Sequence, residues 1–183
     1  MSEAARIASK RIYTGRVLNL DIDTVRFPNG SIGELEMIRH SGASAVVPFL
    51  SDPAGADPQV MLIRQYRYAA DGYVYEIPAG RLDRGEEPMT CAHRELREET
   101  GCTAKGMEHL FTMFTTPGFT DERIHVFLAT DLILGESERE ADEFLEVETM
   151  PLAKALSMVE SGGIQDGKTA LGLLFAAGFK SRR

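Results

Sequence analysis

The sequence predicts an α+β fold, in which helices pack on a strand-rich body preceded by an antiparallel β-hairpin. Three observations predict it. Residues 11–40 alternate apolar and polar side chains around a Pro28-Asn29-Gly30 turn signal. Later runs are apolar, of strand length, and bounded by Pro, Gly and Asp. Three further stretches carry a helical period, two of them opened by a proline.

In chain order, RIYTGRVLNLDIDTVRFPNG and GELEMIRH form the two arms of the hairpin, and residues 1–40 are set apart from a body at 41–183. ASAVVPFL and QVMLIRQYR are strands separated by SDPAGADP, whose Pro, Gly and Asp mark a surface loop. YVYEIPAG is a strand ending at Pro78 and Gly80. An acidic helix over 88–100 follows, and then GMEHLFTMFTTPG and RIHVFLATDL, two strands around the loop TTPGFTDE. LGESEREADEF reads as a polar loop, LEVETM as a short strand, PLAKALSMVESG and DGKTALGLLFAAGF as helices. No repeat or low-complexity linker interrupts the chain, and its 183 residues read most economically as one compact unit.

With 43% hydrophobic and 26% charged residues the composition is that of a soluble protein. A formal net charge of −8 argues against a nucleic-acid or anionic-membrane surface, both of which favour clustered Lys and Arg. No run approaches the ~20 apolar residues of a membrane span, and the N-terminus lacks the apolar core of a signal peptide. Cys91 and Cys102, the only cysteines, are separated by about 16 Å if both lie on one helix, too far for a disulfide. Two free thiols suit a reducing compartment, so a cytoplasmic location is expected.

The acids of GRLDRGEEPMTCAHRELREETGC carry the chemistry. Glu95, Glu98 and Glu99 are clustered on one short segment, beside Glu86 and Glu87, and like charges three and four apart on a helix repel. A positive partner is therefore expected there. Pro88 suits the first helical turn and Gly101 the left-handed residue after the last, which bounds the helix. At 100° per residue Met89, Ala92 and Leu96 form its apolar stripe and the three glutamates lie along the stripe's edge, with Arg94 four residues before Glu98. A solvated acidic face has the same charge spacing, and spacing alone leaves both readings open. The four histidines show no metal-ligand spacing, and His93 faces away from the glutamates.

The full pattern decides between them. Gly80, five residues, Glu86, seven residues, then Arg94-Glu95-Leu96-Arg97-Glu98-Glu99-Thr100-Gly101-Cys102 resembles the Nudix box, with Cys102 where a larger aliphatic residue is usual. The resemblance to the Nudix hydrolases spans nearly the whole chain and implies an α/β/α sandwich. It also implies metal-dependent hydrolysis of a nucleoside diphosphate linked to another moiety, with Mg²⁺ or Mn²⁺ as cofactor. Hard divalent ions take oxygen ligands, which clustered glutamates supply. By the same resemblance Glu95, Glu98, Glu99 and the Ala79 carbonyl would hold the metal, Glu98 would also orient water, and Arg94 would hold the glutamates. Gly80 would let the chain turn sharply.

IRQYR, EIPAG and TTPGFTDE resemble the ADP-ribose pyrophosphatases of that family. This implies that Arg67 meets a substrate phosphate and that the loop with Gly118, Phe119 and Glu122 meets the substrate, Glu122 near the terminal ribose. Glu143 would be the general base, with Glu140 and Asp142 as competitors. The N-terminal segment would pack on a second subunit in a homodimer, placing Tyr13, Phe27 or Arg39 near the partner's substrate. Relatives often stack adenine on tryptophan, and this chain has none. The expected reaction is cleavage of ADP-ribose to AMP and ribose 5-phosphate. Hydrolysis of another nucleoside diphosphate sugar, or binding without cleavage, are the alternatives.

Overall fold

The computed structural model describes residues 5–135 and 145–180, which divide into two compact units, 5–42 with 113–123 and 43–112 with 124–135 and 145–180. In the first unit β1 (Ala5–Thr14), β2 (Asn19–Arg26) and β3 (Ile32–Arg39) form an antiparallel sheet in that order. The expected hairpin is thus a three-stranded meander. Its first arm breaks at Gly15, whose N–H donates to the Leu18 carbonyl at 2.9 Å. A Cβ at Gly15 would stand 2.7 Å from the exposed Tyr13 ring and 3.0 Å from the Leu18 carbonyl, so a larger residue would push that ring aside. Alternation of apolar residues ran through this turn and concealed it. The 113–123 segment joins this unit at Ile38, accepting its N–H on the Phe119 carbonyl at 2.7 Å and donating the Asp121 N–H to its carbonyl at 3.3 Å.

The second unit is built on two sheets. One has the order β10 (Leu145–Pro151), β5 (Gln59–Arg67), β6 (Gly72–Glu76), antiparallel throughout. In the other, β7 (Ala79–Arg81), β4 (Ala43–Pro48), β9 (Arg123–Ile133) and β8 (Thr103–Phe114) are neighbours in that order. β4 runs antiparallel to β7 and parallel to β9. The YVYEIPAG run therefore splits, with Pro78 ending one pairing and Ala79 starting another on the second sheet. Three helices complete the unit, α1 (Pro88–Thr100), α2 (Leu152–Glu160) and α3 (Gly167–Lys180).

Period 2 along β4 explains the layering. Ser44 and Val46 point to one face, Ala45 and Val47 to the other, and all four are fully buried. On the first face the Ser44 hydroxyl donates to the Pro88 carbonyl at 2.7 Å, and Val46 joins Ala92 and Leu96 of α1 in a cluster with Met61, Cys102, Phe127 and Ala129. On the second face Gly172 of α3 comes so close that an added Cβ would be 3.0 Å from Val47 and 3.3 Å from Ile77. Helices cover both faces of this strand.

Pro88 opens α1 and Gly101 closes it at φ 75°, donating its N–H to the Arg97 carbonyl at 2.8 Å, as the sequence led one to expect. The buried face is shifted from the expected stripe. Met89 is 46% exposed, whereas Cys91, Ala92, Glu95, Leu96 and Glu99 are buried. The helix is thus rotated so that two glutamates turn inward and the first-turn methionine turns out. Cys91 and Cys102 are both free and buried.

Candidate active site

Glu95 and Glu99 are four residues apart, one helical turn, and both turn towards β7. Glu95 is 7% exposed and Glu99 2% exposed. Carboxylates this deep need partners close by, since an unpaired buried charge costs several kcal/mol. Glu99 accepts the Ala79 backbone N–H on Oε2 at 2.9 Å. Glu95 lies over Gly80 so closely that any Cβ there would overlap its carboxyl group. That clearance, rather than a turn alone, is what requires glycine: its φ is not among the positive values.

Arg94 is the positive partner that the clustered acids demand. Its Nε and Nη2 grip both oxygens of Glu86, each at 2.9 Å, a bidentate fork. Nη1 donates to both Glu95 Oε1 and Glu98 Oε2, so these two carboxylates converge on one nitrogen. Nη2 also reaches the Arg81 carbonyl at 3.0 Å, tying the cluster to β7. The hydrogen bond from Arg94 holds the Glu86 carboxyl down at about 2, well below its ordinary 4.5, against opposing desolvation. The same fork raises the Arg94 pKa further above its ordinary value. Burial pushes the Cys91 thiol up to about 12, so it stays protonated at neutral pH and is no nucleophile.

The second cationic group lies on β5, β6 and the start of α3. Arg67, a candidate phosphate contact, has its Nε and Nη2 forked on Glu76 at 2.6 and 2.9 Å. Glu76 is 3% exposed, and Lys168 donates to its Oε2 at 2.5 Å. Burial pushes the Glu76 pKa up, but the Arg67 and Lys168 contacts outweigh it and the net shift is downward. Sequence reasoning placed Glu76, Asp166 and Lys168 inside a strand and a helix without assigning them a role. Nothing in their spacing signals that Glu76 and Lys168, 92 positions apart, meet.

The remaining candidates fall in the first unit or outside the described residues. Arg39 is engaged by Asp21 and Asp121, each at 3.2 Å, and by Asp23. Glu122 accepts the Thr115 hydroxyl at 2.9 Å and lies 3.2 Å from His40 Nδ1. Gly118 has nothing within 4 Å of a Cβ position, and Phe119 is 50% exposed. Glu140, Asp142 and Glu143 lie outside the described residues. Tyr13 is 57% exposed, while Phe27 packs over Gly33.

Whether the cluster suits a divalent cation follows from its donors. Carboxylate and backbone oxygens are the hard donors that Mg²⁺ and Mn²⁺ take, and the one sulfur at the cluster, Cys91 Sγ, is a protonated thiol engaged with Arg94 and the Gly80 carbonyl. Among the described residues no three Asp, Glu, His or Cys side chains stand in ready-made ligand geometry, and Arg94 holds oxygens of Glu86, Glu95 and Glu98. The donor set fits the ion. A larger cavity of about 570 Å³ near the far end of β4, lined by Phe49, Leu128, Ala176 and Asp52, includes none of these glutamates.

An acidic helix whose carboxylates are packed on a glycine-bearing strand and gathered by one arginine defines a class. The chain belongs to the NUDIX family: the NUDIX domain matches residues 40–169, which contain the whole Gly80–Cys102 box. It is 40% identical over 175 residues to the ADP-ribose pyrophosphatase of Bacillus subtilis (strain 168), covering 94% of this chain and 92% of that one. It is 36% identical, with the same coverage, to the methanol dehydrogenase activator of Bacillus methanolicus. A solved structure described as an ADP compounds hydrolase has a TM-score of 0.83 at 21% identity, covering 100% of this chain and 96% of that one, and so shares its fold. The chain is a Nudix hydrolase of mixed α+β architecture.

The Glu86 fork predicts an acid-dependent stability. A depressed carboxyl pKa contributes stability that is present above the unfolded value near 4.5 and is lost as pH falls through the folded value of about 2. Glu86→Gln should therefore lower the urea midpoint at pH 7 and flatten the fall of stability between these two pH values. Equilibrium urea titrations from pH 7 to pH 2 read both effects, and an unchanged acid limb would remove the fork from the account.

Proposed function

We propose that the chain hydrolyses the pyrophosphate bond of ADP-ribose to AMP and ribose 5-phosphate, with Mg²⁺ or Mn²⁺ as its metal. The observation that carries the chemistry is the burial of Glu95 and Glu99 against Ala79 and Gly80, with Arg94 gathering the neighbouring acids. The substrate assignment is supported by the 40% identity, along nearly the whole chain, to a protein named ADP-ribose pyrophosphatase.

In this reading Glu95, Glu98, Glu99 and the Ala79 carbonyl hold the ion, which when bound acidifies water and neutralises charge on the pyrophosphate. Every other contribution comes from the chain. Arg94 fixes Glu95 and Glu98 through one nitrogen, which limits their rotamers before substrate arrives. Glu98, half-buried at the edge of the cluster, orients the attacking water and Glu143 removes its proton, with Glu140 or Asp142 as rivals. Arg67 binds a phosphate, while Gly118, Phe119, Glu122 and Arg39 contribute to substrate binding.

The first unit supplies the reading of assembly. β1 is exposed along its whole length and presents Ile7, Ile12 and Tyr13, each 47–57% exposed, with Ile32 of β3 at 58%. Apolar side chains grouped on one small sheet suit a symmetric homodimer. Two free buried thiols fit a cytoplasmic setting, and among the described residues no helix is long and apolar enough to cross a membrane. Neither nucleic acid nor membrane is a partner in this reading, given the net charge of −8.

Turnover measured across ADP-ribose, nucleoside diphosphate sugars, NADH and diadenosine polyphosphates tests the substrate. ADP-ribose should give the highest kcat/KM, chelator should abolish it, and Mg²⁺ or Mn²⁺ should restore it; a GDP- or UDP-sugar ahead of ADP-ribose would replace the substrate. In the same assay Glu99→Gln should lower kcat at least about 100-fold. Glu143→Gln should lower kcat about 100-fold with KM within a few fold. Full activity in Glu99→Gln contradicts the metal site, and an equal loss in Glu140→Gln alone moves the base. Light scattering should give a mass of about 40 kDa, twice the 20.2 kDa chain, and a monomer would remove the shared assembly.

A further inference from the structure

Arg67 stands at the end of β5 with a side chain 44% exposed, and a guanidinium there ordinarily samples many rotamers. That freedom is lost when the group is held against a ligand. Here the loss has already been taken. Nε and Nη2 are both forked on Glu76, so the planar group is fixed, and Nη1 makes no hydrogen bond among the described residues. An open cavity of about 500 Å³ lies beside it, lined by Arg67, Ala69, Ala70, Val74, Gln165 and Lys168 among others. Glu99 of the metal-binding cluster contributes to the electrostatic field at Arg67, which links this cation to the box.

What keeps the fork in place is α3. Glu76 is almost wholly buried, and its second oxygen is shared between Arg67 Nη2 and Lys168 Nζ, whose side chain is only 12% exposed. Lys168 is itself held by Asp166 Oδ2 at 3.0 Å. The same oxygen takes the Thr169 hydroxyl at 2.5 Å and the Thr169 N–H at 3.0 Å. Thr169, fully buried, accepts the Ile77 N–H at 2.8 Å. So one turn of α3 grips both the Glu76 side chain and the backbone two residues before Ala79, whose N–H is bound by Glu99. Arg67 and the glutamate cluster are thereby set at a fixed separation by residues that belong to neither.

We propose that Lys168, acting through Glu76, is a positioning residue that holds Arg67 with its Nη1 edge presented to a phosphate of the nucleoside diphosphate. The proposal rests on the hydrolase reading above. Removing the lysine leaves Glu76 facing Arg67 alone, and the buried carboxylate then draws the guanidinium inward, away from the cavity. Substrate must afterwards pull it back, which weakens phosphate binding while the glutamate cluster keeps its chemistry.

Three variants test it, Lys168→Met, Lys168→Arg and Arg67→Ala, together with the Arg67→Ala/Lys168→Met double. With ADP-ribose and Mg²⁺, Lys168→Met should raise KM about 10-fold and change kcat little, and Lys168→Arg should recover most of the loss. In the Arg67→Ala background the second change should add nothing, because the two act through one contact. A lysine that merely stabilises α3 gives additive effects, a lowered melting temperature and an unchanged KM, and that result overturns the proposal. A readout without substrate separates this from the hydrolase reading. The Arg67 Nε–H resonance, identified by its absence in Arg67→Lys, should exchange slowly in the wild type and more slowly still in Lys168→Met, where Glu76 holds the guanidinium alone. An exchange rate in Lys168→Met equal to or faster than the wild type's, or fast exchange in the wild type, overturns the proposal whatever the substrate. Absence of turnover on every nucleotide tried overturns the hydrolase reading instead.

Discussion

The close approach of Glu95 to Gly80 is the constraint on which the rest of the site depends. A helix can carry carboxylates at i and i+4 on one face without bringing them near anything. Here β7 provides a backbone without a Cβ, and the Glu95 carboxyl occupies the space that the side chain would have filled. The pairing of Ser44 with Gly80 and Ala45 with Ala79 fixes β7 on β4, and the Ser44 hydroxyl anchors the start of α1 on the same strand. Helix and strand are therefore registered against each other through one shared neighbour.

Concentrating acids at such a contact opposes folding, since each buried charge loses hydration and each pair repels. Two devices offset this. The Ala79 N–H satisfies Glu99, and Arg94 satisfies Glu86 in full while taking one oxygen each from Glu95 and Glu98. Two cations, Arg94 and the more exposed Arg97, set against Glu86, Glu95, Glu98 and Glu99 leave the cluster negative. A fully neutralised cluster would fold more readily and attract no divalent ion, so the residual charge is what suits the site to a metal.

Much of this was legible in the sequence, and the exceptions have physical causes. Pro88 and Gly101 bound α1 because their backbone preferences are local, and the box glutamates were legible because their spacing is fixed by one helix. The meander was read as a hairpin because the turn at Gly15 does not interrupt the alternation of side chains on either side of it. Met89 was placed inside on periodicity, but the inward rotation that buries Glu95 and Glu99 puts it outside. The Arg67–Glu76–Lys168 array was not legible, because it joins β5, β6 and α3 through side chains whose meeting depends on tertiary packing. The same holds for Arg39, whose engagement by Asp21, Asp23 and Asp121 is a product of the β2–β3 register and the 113–123 segment.

The measurement that bears most directly on the account is Mn²⁺ binding by Gly80→Ala, followed by titration calorimetry and compared with turnover. One methyl group changes neither charge nor any box carboxylate, yet it must displace Glu95 from β7. The account predicts that Gly80→Ala keeps the far-ultraviolet spectrum of the folded chain while Mn²⁺ affinity falls at least about 10-fold and turnover falls with it. Wild-type Mn²⁺ affinity and turnover in a folded Gly80→Ala chain would contradict it.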